Sequence, residues 1–130
     1  PADARSFVLH CSARTEAECY RRSLFACQNT RPLHKRLAGL ARGDRLYCFN
    51  ITTGAVRGPV VASSMPGCFA PDAFRGQYAY QVPFEPVHAP PPIVWRRQDH
   101  RGRPGPDIGP WSPLEARVRG AAANREAAGR

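Results

Sequence analysis

The chain is short of lysine, of acid and of long apolar runs, and each shortage removes a class of function. Lys35 is the single lysine among 130 residues, against 18 arginines. Acids number only 10, scattered without the close carboxylate pair that acid–base catalysis favours. No apolar run exceeds about five residues, far below the roughly 18 of a membrane-spanning helix. A basic-then-apolar opening is also missing, so no secretory signal is expected. Cys11, Cys19, Cys27, Cys48 and Cys68 form no C-x-x-C pair, and with four dispersed histidines they fit no common zinc spacing. No G-x-S-x-G, Walker or H-E-x-x-H motif occurs. Hence neither a catalytic centre, nor a metal, nor a cofactor is expected.

What is present is base. Nineteen Lys+Arg give a formal net charge of +9, which points to polyanionic partners. A GC-rich codon bias accounts for Arg over Lys, but not for base over acid. Arginine also stacks on bases and binds phosphate in a planar, two-toothed fashion, as lysine does not. The five cysteines sit in apolar, strand-like sequence and read as buried free thiols of a reducing compartment. The expected location is therefore intracellular, in cytoplasm or nucleus, where the sequon Asn50-Ile51-Thr52 is idle.

Composition changes near Phe84. Residues 1–86 hold every Cys, Phe and Tyr, while 86–113 carry eight of the 14 prolines. This divides the chain into a core (1–86), a Pro/Arg/Gly-rich linker (87–111) and a C-terminal helix or flexible tail (112–130). Core and tail are both basic, at +5 and +4.

The core alternates strand and helix and predicts an α+β fold: a small, curved mixed sheet or open barrel with two or three packed helices. Arg5–Cys11 reads as a buried strand. Thr15-Glu16-Ala17-Glu18 reads as a capping box opening a helix to about Phe25. Pro32 opens a second helix with Leu33, Leu37 and Leu40 on one face. Arg45–Ile51 is apolar on both faces, as in a small barrel. After a hairpin turn at Thr52–Gly54, Ala55–Ser64 returns, with a bulge or edge position expected at Gly58-Pro59. Gln77–Phe84 alternates as a half-buried strand, its Tyr78, Tyr80, Val82 and Phe84 opposite Gln77, Ala79 and Gln81. Beyond it, Pro90–Pro92 favours polyproline II. A helix opened by Ser112-Pro113 would pack through Trp111, Leu114 and Val118.

The loop 65–78 is the leading candidate site. It sets Phe69, Phe74 and Tyr78 beside Arg75, the mixture with which single-stranded nucleic acid is held: ring faces for bases and a cation for backbone. Alternatively, Phe69 and Phe74 cap the open end of the barrel. Asn50 reads a base edge or satisfies the hairpin, and Ser63 has the same two readings. Arg21, Arg22, Lys35, Arg36 and Arg45 form a phosphate track or a solvated face. Trp95-Arg96-Arg97 reads as an RNA-contacting segment or a plain linker.

Three stretches resemble the YTH-like branch of the PUA superfold (the YTH, EVE and DCD domains), and the DCD domain most. They are Phe7–Ser12 with Thr15–Cys19 and Arg22–Phe25, then Gly43–Asn50 with Thr53-Gly54 and Gly58-Pro59, then Pro71–Tyr78. The resemblance spans about 80 residues. It implies a strongly curved mixed sheet and, often, a groove for single-stranded RNA. YTH domains add a tryptophan cage for methylated adenosine, whose positions fall here near Phe25–Cys27 and Phe69. Trp95 and Trp111 lie outside the matched stretches, which leaves open a less specific base pocket using Phe69 and Phe74.

The expectation is thus a monomeric, non-catalytic module for single-stranded RNA, with no membrane contact. The alternatives are a DCD-type protein-interaction adaptor recruiting a partner through its Pro-rich tail, and a pocket for a modified nucleoside.

Overall fold

A computed structural model describes residues 4–97. Its elements run β1 (Ser6–Cys11), α1 (Glu16–Arg22), β2 (Leu24–Cys27), α2 (Arg31–Arg36), β3 (Arg45–Asn50), β4 (Ala55–Val61), a 3-10 turn (Ala73–Gly76), β5 (Tyr80–Pro83) and β6 (Ile93–Arg96). The fold is α+β. Four strands form a mixed sheet in the order β1-β3-β4-β6, and β2 and β5 form a separate antiparallel pair. The sheets meet where Ala62 bridges Phe84, but they do not close into a barrel. The expected tail helix, its Trp111 contacts and residues 98–111 lie outside the described residues.

β3 explains its own sequence. It is parallel to β1 and antiparallel to β4, so it is central and covered on both faces. Leu46 and Cys48 face the main core with Phe7, Leu9, Phe25, Val82 and Phe84. Tyr47 and Phe49 face a second cluster with Val8 and Val56, on which Val94 and Trp95 pack. Two-sided burial in a sheet produces the same apolar run as a barrel would. Trp95 and Arg96 thus belong to a strand paired with β4. The proline run before it is tied down as well: Arg57 donates to Pro91 O at 2.9 Å and Gly58 N to Pro92 O at 3.2 Å.

The bulge expected at Gly58-Pro59 is present as a break in the β3–β4 register between Leu46 and Cys48. β4 is no edge strand, since β3 and β6 flank it. Gly58 has φ +150°, and a Cβ there would stand 2.7 Å from Tyr47 Cδ1. Only glycine permits that approach.

Both helices are shorter than their sequence periodicity suggests. α1 stops at Arg22 because Ser23 turns left-handed (φ 55°) and Leu24 and Phe25 pair with β5. Strand pairing overrides helical spacing there. The capping box does not form. Thr15 sits at φ −115°, ψ −16°, without a side-chain cap, and its hydroxyl accepts from Ser12 N at 3.0 Å instead. Glu18 reaches across to another segment altogether. In α2, Thr30 Oγ1 does cap, accepting from Leu33 N at 3.4 Å. The helix ends before Leu37, yet Leu37 and Leu40 are both buried.

Candidate nucleic-acid interface

The chain folds around a cavity of about 630 Å³. One wall is the end of β1 (Leu9, His10, Cys11, Ser12) with Thr15 ahead of α1. The second is the edge of β2 (Ala26, Cys27, Gln28). α2 covers it with Pro32, Leu33 and Arg36, and Ile51 and Tyr78 complete the rim. The volume and the mixture of apolar walls with a few polar groups match an ordinary small-ligand site.

Among the described residues, the cavity lining is mostly uncharged. Arg36 is the only charged residue among the described ones that line it, and its guanidinium is fixed by donating to Val8 O at 2.8 Å. Burial, and then the nearby Arg36, push His10 down to about 4. At neutral pH the imidazole is therefore uncharged and offers one donor and one acceptor. Burial pushes the Cys27 thiol up to about 12 against the pull of Arg36, and burial likewise pushes Cys19 to about 12. Both stay protonated and are poor nucleophiles. Four of the five cysteines are buried, Cys68 is exposed, and none is in a disulfide. Among the described residues, no three His, Cys, Asp or Glu side chains gather as a metal site. No described helix is long and apolar enough to cross a membrane.

Of the residues singled out from sequence, Tyr78 and Arg36 line the cavity. Phe74 is only 3% exposed and packs in the core, edge-on to Tyr78 at 6.1 Å. Phe69 is 50% exposed. The two phenylalanines therefore do not share a pocket. Phe74 (φ 55°) and Arg75 (φ 58°) are consecutive left-handed residues, an uncommon and costly backbone for side chains of this size. The turn drives Phe74 inward and leaves Arg75 exposed. Glu18 holds the turn by accepting from Phe74 N at 2.8 Å. That bond, and then the Arg22 bond at 2.7 Å, hold the Glu18 carboxyl below the usual carboxylate range.

Asn50 is buried, and its amide is committed. Oδ1 accepts from Thr52 N and Thr53 N at 2.9 and 3.2 Å, and Nδ2 donates to Glu16 Oε2 at 3.4 Å. The hairpin reading is the one its contacts fit. Ser63 is exposed at the end of β4, with its backbone N–H bonded to Pro83 O. Arg45 is engaged with Ser6 Oγ and Ala4 O. Arg22 pairs with Glu18, while Arg21 and Lys35 are exposed.

Gln81 is the organising residue that pattern reading missed. Alternation places it on the outer face of β5, yet it is 0% exposed. Its Oε1 accepts from Phe69 N and Ala70 N at 2.8 and 2.9 Å. Its Nε2 donates to Ala70 O and Tyr78 O at 2.9 and 2.8 Å. One amide thus ties the backbone that displays Phe69 to the backbone that sets Tyr78 on the rim.

No protein-family model matches the chain, and no curated protein or solved structure matches it either.

Proposed function

We propose that the protein is a non-catalytic module for single-stranded RNA, with one base inserted in the cavity beside Tyr78 and the backbone following α2. The observation that carries this reading is the pairing of a nucleoside-sized cavity with its cover. α2 brings Arg31, His34, Lys35 and Arg36 and no acid, so the segment beside the cavity is the one that attracts phosphate. Phe69, exposed and linked through Gln81 to the Tyr78 backbone, supplies a ring face for a neighbouring base. Arg75 adds a cation from the same loop. The likeness of the three sequence stretches to YTH, EVE and DCD domains supports the reading from the sequence side. This revises the expected pocket: Tyr78 and the β1 and β2 walls take the place given to Phe74.

Fluorescence anisotropy with a labelled single-stranded RNA, at several salt concentrations, tests it. Affinity should fall linearly on a log–log plot, with a slope of about 0.7 per phosphate neutralised on a single strand. Joint replacement of Arg31 and Lys35 by Ala should flatten that slope without unfolding the protein. No binding at moderate salt, or binding indifferent to salt, overturns the proposal.

A further inference from the structure

We infer that the second face of the four-stranded sheet is the docking site of this chain's own C-terminal segment, seated through Trp111, Leu114 and Val118. The docking is independent of the RNA-binding reading. Its ground is a ring-rich row that strand register lays across the sheet. His10 pairs with Phe49, Phe49 with Val56 and Val56 with Trp95. Cross-strand partners share a face, so these four side chains point the same way from four successive strands. Val8 and Tyr47, the neighbouring pair on that face, flank the row.

The two faces of the sheet are covered differently. On the first, Cys19 and Tyr20 of α1, Leu24 and Phe25 of β2, and Val82 of β5 build a second layer. Among the described residues, the second cluster draws only on strands of the sheet itself: Val8, Tyr47, Phe49 and Val56, with Val94 and Trp95 of β6 packed against them. Yet those first four are no more than 2% exposed, and Ser6, His10, Tyr47 and Phe49 are all engaged. A sheet face this apolar needs another layer to take it from water. The part of the chain left to supply one is residues 98–130.

Reach and pattern both fit. The described chain ends beside the row, where Arg97 N donates to Gly54 O at 2.7 Å. Residues 98–110 separate that point from Trp111. Extended, such a stretch spans on the order of 45 Å, against about 14 Å across four strands. Trp111, Leu114 and Val118 fall at i, i+3 and i+7, one stripe of a helix. They are the only large apolar residues after Ile108, so this stripe alone can seat the segment. A helix so poor in apolar residues is marginal by itself, and the sheet face supplies the packing it lacks. The stripe is then spent within the fold and does not serve to recruit another protein.

Nuclear Overhauser spectroscopy on the full chain, with valine methyl groups labelled, tests the inference. The Trp111 indole should show contacts to the methyls of Val8 and Val56. In an equal mixture of labelled and unlabelled chains, no such contact should run between chains. A second reading comes from Trp111→Phe and Trp111→Ser, in which Trp95 is the only tryptophan. Acrylamide should quench Trp95 severalfold faster in the Ser variant than in the Phe variant, with folding checked by circular dichroism. The first measurement uses the wild-type chain and decides whether or not either variant folds. Absence of the Trp111–valine contacts, or equal quenching in two folded variants, overturns the docking. Contacts that run between chains overturn it as well and assign the face to a second copy.

Discussion

The two sides of the cavity are built on opposite plans. The β-side is made of residues that are also core: Leu9, Cys11 and Cys27 are buried, and the loop leading to Tyr78 is knotted by Gln81. The α2 side has no buried residue within Arg31–Arg36. It is held by the Thr30 cap, the Arg36 bond to Val8 O and a stack of His34 on Tyr80 with ring centroids 4.0 Å apart. Buried Leu37 anchors only the chain that follows. Shape is thus set by the side whose disturbance costs global stability, and charge is delivered by the side that can yield locally.

The largest effect should come from the β-side. Gln81→Met keeps length and loses all four side-chain hydrogen bonds. Unpairing buried polar groups costs about 1–3 kcal/mol each. Partial access to water for the loop reduces the total, so a loss of roughly 3–4 kcal/mol is expected in urea unfolding. Lys35→Met, on α2, should stay within about 0.5 kcal/mol, as exposed sites do. Comparable losses for the two variants would erase the contrast.

A second effect is set by pH and belongs to the seam between the sides. His10 is pushed from 6.5 down to about 4 in the folded chain, so the unfolded state binds the proton more readily. Stability from this group is complete above about pH 6.5 and is lost as pH falls toward 4. By linkage the loss is on the order of 2–3 kcal/mol. Denaturation midpoints across that range should show the decline in the wild type. It should be reduced in His10→Asn, which cannot titrate. Parallel pH curves for the two proteins would show that His10 is not the sensor.

These contrasts also mark how much was readable in advance. The α+β class, the β3 run and the Gly58 bulge followed from local chemistry, because burial on two faces and a glycine-only conformation leave direct traces in sequence. The end of α1 did not, since Leu24 and Phe25 suit an amphipathic helix as well as a strand and only pairing with β5 decides. β6 was hidden for a similar reason: four residues after a proline run carry too short a pattern, although Trp95 fits the second cluster. Of the candidate site residues, Tyr78 and Arg36 line the cavity, an aromatic and a cation being informative residue types. Phe74 had two open readings, and it packs in the core; an aromatic near a basic residue looks alike in sequence whether it stacks or packs. Gln81 left no trace at all. A polar residue at an alternating position reads as solvent-facing, and three of its four hydrogen bonds go to loop backbone 11 and 12 residues away.

The smallest expected effect is the sharpest probe of the α2 side. His34→Ala removes the stack on Tyr80 and the ring contact to Asn29 Oδ1, while Ala is itself a better helix former. An aromatic pair of this kind contributes about 0.5–1.5 kcal/mol, and the propensity gain offsets part of it. Global stability should therefore fall by no more than about 1 kcal/mol. The local consequence should be larger, because little else within the helix is buried. Hydrogen exchange at the helix amides His34 and Leu37, which bond to Thr30 O and Leu33 O at 3.0 Å, should quicken severalfold. The Phe69 and Ala70 amides held by Gln81 should keep their wild-type rates. If both sets quicken together, the two sides open as one unit, and α2 is no more free to adjust to a ligand than the sheet beneath it.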